Sequence, residues 1–199
     1  MKMWKDWNPL VEAARGRADI LVDAHGAYTA DNAIVVARKL EAMDVAWLED
    51  PLPPEDIEGY ARLCAAVDIP IASGETECTS FQVLERLKAG TPDILLPDVC
   101  RAGGITEGRR IADLAHLYNR RWAAHVSMGS SLHIAAAAHL AAASGNFLML
   151  EFPGTPNPIG DGLLTHRLRP EGGLLTVPMG PGLGITFDDE AFERHAIQV

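Results

Sequence analysis

The chain has 199 residues, 48% of them hydrophobic, enough to bury a core as one domain but short of the about 250 residues of a complete (β/α) barrel. Its formal net charge of −10 argues against nucleic acid or an anionic membrane surface as a partner. No apolar run approaches the about 18 residues that span a bilayer.

Lys2 and Trp4 share a face if residues 1–4 form a strand stub, and a short helix fits 9–15. Asp23 ends the apolar run Ile-Leu-Val-Asp, after which Thr29 is placed to cap a helix over 31–43. Residues 45–49 read as the next strand, ending at Glu49. Pro51, Pro53 and Pro54 fix the following loop, and a helix starting at a proline is expected over 55–67. Strand 70–72 leads to Gly74-Glu75, and Ser80 is placed to cap a helix that stops at Gly90. Strand 93–96 leads to Asp98, and a helix is expected over 106–118. Strand 122–124 leads to His125, an alanine-rich helix covers 131–143, and strand 147–150 leads to Glu151. From Pro153 the repeat stops. The stretch to Gly184 reads as a closing loop with a small hairpin, and 187–199 as a short helix or fray.

The polar residues that end these strands are evenly spaced. The steps from Asp23 through Glu49, Glu75, Asp98, His125 and Glu151 are 26, 26, 23, 27 and 26 residues. Each step is the size of one strand, one helix and two loops, the repeat of a parallel sheet. A chemically able residue at the C-terminal end of each successive strand is how a (β/α) barrel assembles a site. The fold expected is therefore α/β, a TIM-type barrel over residues 1–185 with a tail over 186–199. It is expected to lack one or two βα elements of a closed barrel at its N-terminus.

Three carboxylates on consecutive strands repel one another, and a divalent cation is the natural resolution. Hard oxygen ligands suit Mg²⁺, which makes Asp23, Glu49 and Glu75 the candidate metal ligands. Taken singly, each of them is as well explained as a helix cap or an ion-pair partner. Asp98 and His125 lie on adjacent strands, where a carboxylate orienting one imidazole nitrogen leaves the other free as a general base. His25, two residues beyond Asp23, points into the same mouth if the segment is extended; otherwise it is a loop histidine in solvent. His116, His133 and His139 read as helix surface or packing, and His166 and His195 carry no signal. Cys64, Cys78 and Cys100 form no CxxC pair and are expected to be reduced thiols in a cytoplasmic protein. The sequence contains no GxSxG, P-loop, HExxH or helix-opening GxGxxG motif.

Several of these segments resemble the enolase superfamily in its mandelate racemase branch. Val-Asp-Ala-His at 22–25, Trp-Leu-Glu-Asp-Pro-Leu at 47–52 and Ser-Gly-Glu at 73–75 are similar to its metal-ligand strands. Pro-Asp-Val-Cys-Arg-Ala-Gly-Gly-Ile-Thr-Glu at 97–107 resembles the segment of its dyad aspartate, Ala-His-Val-Ser at 124–127 its histidine segment, and Leu-Glu-Phe at 150–152 its last strand. The resemblance implies Mg²⁺-assisted removal of the proton α to a carboxylate, through a metal-stabilised enediolate. The pairing of a Lys or His base with Mg²⁺ is a known property of that superfamily rather than something spacing reveals. It implies Asp23, Glu49 and Glu75 as ligands, Asp98–His125 as the base dyad, and a protonated Glu151 donating to the substrate carboxylate.

Three departures from the family pattern refine that implication. Lys2-Met3-Trp4 is the nearest match to a Lys-x-Lys, with Lys2 a weak candidate for substrate binding and Trp4 in place of the second lysine. That counts against a two-base racemase. His25 stands where many members have Asn, and Asp-x-His resembles the sugar-acid dehydratases, in which this histidine can protonate the departing 3-hydroxyl. The family's capping domain has no counterpart in the sequence. The activity expected is dehydration of an aldonate or aldarate to a 2-keto-3-deoxy acid. The alternatives are a racemase or epimerase of the same branch, or a non-catalytic fragment that needs a partner chain. A homo-oligomer is expected, because association covers an open strand edge.

Overall fold

The computed structural model describes residues 7–155 and 157–196; the Lys2–Trp4 stub lies outside them. The sheet has six parallel strands in chain order, β1 (Leu21–Asp23), β2 (Trp47–Glu49), β3 (Ile71–Ser73), β4 (Ile94–Leu95), β5 (Arg121–Ala124) and β6 (Phe147–Leu150). Helices α1 (Asn8–Ala14), α2 (Ala30–Glu41), α3 (Ile57–Cys64), α4 (Ser80–Lys88), α5 (Ile105–Leu117) and α6 (Ser131–Ala142) precede or alternate with them. This is the α/β parallel architecture expected, with each strand in the predicted place.

By backbone packing the chain divides into two units. One comprises the chain up to Gly74 together with Phe81–Leu95; the other comprises Glu75–Ser80 and the chain from Leu96. In the first, Asp23 and Glu49 are register partners at the ends of β1 and β2. Helix α2 buries Ala33, Val36, Ala37 and Leu40, the i, i+3, i+4, i+7 pattern of a helix with one apolar stripe. These side chains join Val22, Leu48, Ile71, Tyr60 and Leu63 in one core. Helix α3 starts at an Asp56 cap whose carboxylate accepts from the Gly59 amide at 2.9 Å, not at a proline as expected. Thr29 stands at the N-cap of α2 without a side-chain cap bond.

A buried cation organises this core behind β3. Arg86 of α4 is 1% exposed, donates to Ser73 Oγ at 2.7 Å and to the Pro54 carbonyl at 3.0 Å, and stacks 4.4 Å above the Tyr60 ring. Burial, reinforced by the charge of Asp50, pushes the Tyr60 phenol up to about 12.

In the second unit β5 pairs with β6, with an irregular register between Trp122 and Ala124. Helices α5 and α6 approach closely at Gly108, where a Cβ would lie 2.7 Å from Leu140 Cδ2. Ser80 is the first residue of α4 rather than its cap; its amide and hydroxyl both donate to Glu107, at 2.7 and 2.6 Å. The expected closing loop contains a one-turn helix α7 (Pro158–Gly162), and its tight hairpin is Glu171↔Leu174. The tail forms helix α8 (Asp189–His195), anchored by a Leu164↔Phe187 bridge. No helix among the described residues is long and apolar enough to cross a membrane.

Because Arg86 makes charge-assisted bonds that a thioether cannot, Arg86→Met should lower stability by about 2–4 kcal/mol. A leftward shift of the urea midpoint with an unchanged m-value is the expected record.

Candidate active site

The site builds outward from Asp98 and His125. These two residues form a parallel bridge, the His125 amide donating to the Pro97 carbonyl at 3.2 Å. Direct pairing puts both side chains on one face, and His125 Nδ1 lies 2.8 Å from Asp98 Oδ2. The other Asp98 oxygen accepts from the amides of Cys100 (2.7 Å) and Arg101 (3.0 Å). Both residues are more than nine-tenths buried. Burial pushes the Asp98 carboxyl up, but the hydrogen bonds from His125 and the Arg101 amide and the nearby His133 imidazole outweigh it, so the group is held well below the usual carboxylate range.

The second nitrogen of His125 faces more acid. Its Nε2 is 3.0 Å from Glu75 Oε2 and 3.9 Å from Glu151 Oε2. Burial opposes a charge on the imidazole, yet the bonds to Asp98 and Glu75 and the charges of Glu75 and Glu151 prevail, raising it to about 10. Glu151 follows β6 directly. Its amide donates to the Ala124 carbonyl at 3.0 Å, and its Oε2 accepts from the amides of Val126 and Ser127 at 2.7 and 2.8 Å. Arg101 Nη1 lies 3.4 Å from Glu75 Oε1, a basic neighbour that strand-end spacing did not single out.

In the other unit, Trp47 Nε1 donates to Glu49 Oε2 at 2.9 Å, which orients that carboxylate from within its own strand. Asp23 Oδ1 accepts the His25 amide at 2.8 Å. That bond closes a turn, and His25 takes φ 48°, so the extended geometry on which the sequence argument for His25 rested is absent. Its side chain is 78% exposed and Nδ1 stands 4.0 Å from Asp23 Oδ2.

His133, expected as helix surface or packing, is buried in the first turn of α6 with Nε2 3.3 Å from Asp98 Oδ1. The donor atoms of Asp98, Cys100 and His133 all lie within 4.8 Å of one another, close enough to hold a metal ion. The donor chemistry argues otherwise. Burial and the Asp98 charge push the Cys100 thiol up, away from the thiolate a metal requires. Asp23 and Glu49, by contrast, offer carboxylate oxygens from register-paired positions, a donor type that fits Mg²⁺.

The enolase C-terminal domain-like family matches residues 8–191. The chain belongs to this family. Its solved neighbours place it in the mandelate racemase branch: it superposes on a mandelate racemase/muconate lactonizing enzyme from Jannaschia sp. CCS1 with a TM-score of 0.86 and 35% identity, over 94% of this chain and 48% of that one. It is 37% identical over 180 residues to a D-galactarolactone cycloisomerase of Agrobacterium fabrum, covering 86% of this chain and 47% of the relative. It is 36% identical over 189 residues to a D-xylonate dehydratase of Haloferax volcanii, covering 95% and 46%. The chain thus spans about half the length of the curated relatives it matches.

A histidine whose pKa rises on folding stabilises the native state fully below its unfolded pKa of 6.5 and loses that contribution as pH climbs through about 10. In protein free of divalent cations, the stability difference between the parent and His125→Asn should therefore shrink across that window. Urea midpoints of both proteins at matched pH values measure it.

Proposed function

We propose that the chain carries the catalytic half of a Mg²⁺-dependent acid-sugar dehydratase. The observation that supports this most is the buried Asp98–His125 pair with Glu75 and Glu151 around the outer imidazole nitrogen. The curated relatives named as dehydratases of xylonate, talarate/galactarate and galactonate support the substrate class. In this reading His125 Nε2 takes the C2 proton of an aldonate or aldarate while Asp98 holds Nδ1 and stabilises the imidazolium. Glu151 would take up a proton on the oxygen not engaged by the Val126 and Ser127 amides as the substrate carboxylate arrives, and donate to it as charge develops there. His25, exposed and beside Asp23, delivers a proton to the 3-hydroxyl, which leaves as water; the enol then rearranges to the 2-keto-3-deoxy acid.

Asp23, Glu49 and Glu75 are the proposed Mg²⁺ ligands, on the strength of donor chemistry and their order along the strands. The ion, when bound, supplies positive charge against the negative charge that builds on the carboxylate. Substrate selection by Lys2, self-association and a cytoplasmic setting belong to the same proposal.

A cycloisomerase is the second reading, favoured by the Agrobacterium fabrum relative. It too would begin with proton abstraction by His125, but it would rearrange a lactone without forming a free keto acid. Racemisation is disfavoured by the lack of a second lysine at position 4. A non-catalytic fragment that needs a partner chain is the third reading.

Incubation with a panel of aldonates and aldarates plus Mg²⁺ should yield a 2-keto-3-deoxy acid detectable with semicarbazide. His125→Asn should suppress both this product and exchange of the C2 proton with solvent deuterium, by about 10²- to 10⁴-fold for removal of a general base. His25→Asn should spare the exchange and stop water loss. Should both variants turn over at the parent rate, the mechanism is wrong. A second experiment addresses the ligands: Mg²⁺ should raise the melting midpoint of the parent, and Glu49→Gln should lose that rise.

A further inference from the structure

We infer that His133 is a positioning residue for the Asp98–His125 pair, its Nε2–H holding the Asp98 oxygen that His125 does not use. The inference deepens the proposed function and rests on it only where turnover is measured.

His133 sits in the first turn of α6 and is 8% exposed. Its Nε2 is sealed from solvent with no aligned hydrogen-bond partner, yet it stands 3.3 Å from Asp98 Oδ1. A buried donor left unpaired costs about 1–3 kcal/mol, so an acceptor this near gives the ring a strong reason to turn toward it. Its room to do so comes from Gly129: a Cβ there would lie 2.3 Å from His133 Nδ1. The loop that leaves His125 thus passes against the back of the second imidazole. Asp98 then has a fixed place on every side. His125 engages Oδ2, while the Cys100 and Arg101 amides and His133 converge on Oδ1. Amides alone fix one oxygen; a side chain from a different element resists rotation of the whole carboxylate. That restraint sets where His125 Nε2 points.

The test uses the full chain and the variants His133→Leu, which fills the space without a donor, and His133→Gln, which returns a donor near the Nε2 position. The downfield proton resonance of the His125 Nδ1–H, assigned by its loss in His125→Asn, should be present in the parent, broadened away in His133→Leu and restored in His133→Gln. Where turnover is found, His133→Leu should lower kcat by about ten- to a hundredfold with KM little changed, and His133→Gln should recover most of it. Nitrogen shifts of the parent should show His133 protonated at Nε2. A parent His133 carrying its only proton on Nδ1 overturns the inference, and that measurement decides the matter even if His133→Leu fails to fold. An unchanged resonance and kcat in a folded His133→Leu overturn it as well. If no sugar acid is consumed but the resonance follows this pattern, the proposed function fails and the positioning role stands.

Discussion

The hydrogen bond between Asp98 and His125 is the constraint around which this site is arranged. It is made possible by backbone pairing, since residues bridged in parallel strands must present their side chains to one face. Once Asp98 holds Nδ1, Nε2 has one direction available, and that direction is occupied by Glu75 and Glu151. Glu151 in turn is fixed by two amides of the loop leaving His125. Asp98 and Glu151 are thus each held by backbone amides, Asp98 by the loop that follows it and Glu151 by the loop of the preceding strand, while Glu75 faces the His125 and Arg101 side chains. A parallel sheet supplies this arrangement because every strand ends on the same side.

The strand ends were legible because two periodicities coincide in the sequence, short apolar runs and a step of about one βα unit. Asp98 and His125 come together as their adjacent positions imply. What spacing does not encode is the conformation of the residues immediately after a strand. The Asp23 carboxylate captures the His25 amide, the local competition that short polar side chains exert on the backbone, and the resulting turn removes the alternation that would have aimed His25. The Ser80 cap failed for a related reason. A hydroxyl that could cap its own helix instead donates to Glu107, a residue 27 positions away that local sequence cannot nominate.

His133 was missed although a signal was present. Helix α6 is Ser-Leu-His-Ile-Ala-Ala-Ala-Ala-His-Leu-Ala-Ala, apolar around nearly its whole circumference. A helix of that kind has little polar face to offer solvent, so an imidazole within it is buried, and a buried imidazole needs a partner. The apolar helix pattern singles out His133 as buried but does not point to Asp98. Only the fold supplies the partner. Arg101 is the converse case: it lies in the segment that carried the family resemblance, yet nothing in its spacing links it to Glu75.

The charges around His125 carry one further consequence. Glu75, Asp98 and Glu151 place three carboxylates about a single imidazole, with Arg101 on the far oxygen of Glu75. Without a cation, the proton on His125 is the charge that makes this cluster tolerable in a buried site, which is why its pKa rises. A general base must begin neutral, so the same acids that build the site oppose its use as long as they go uncompensated. If Glu75 is a metal ligand, proton and cation serve as alternatives for the same negative charge, and binding one weakens the other. The basicity of His125 is then set jointly by Asp98, which is permanent, and by Glu75, whose charge is shared with whatever it binds. Under the proposed function, proton abstraction by His125 then requires that the charge of Glu75 be compensated.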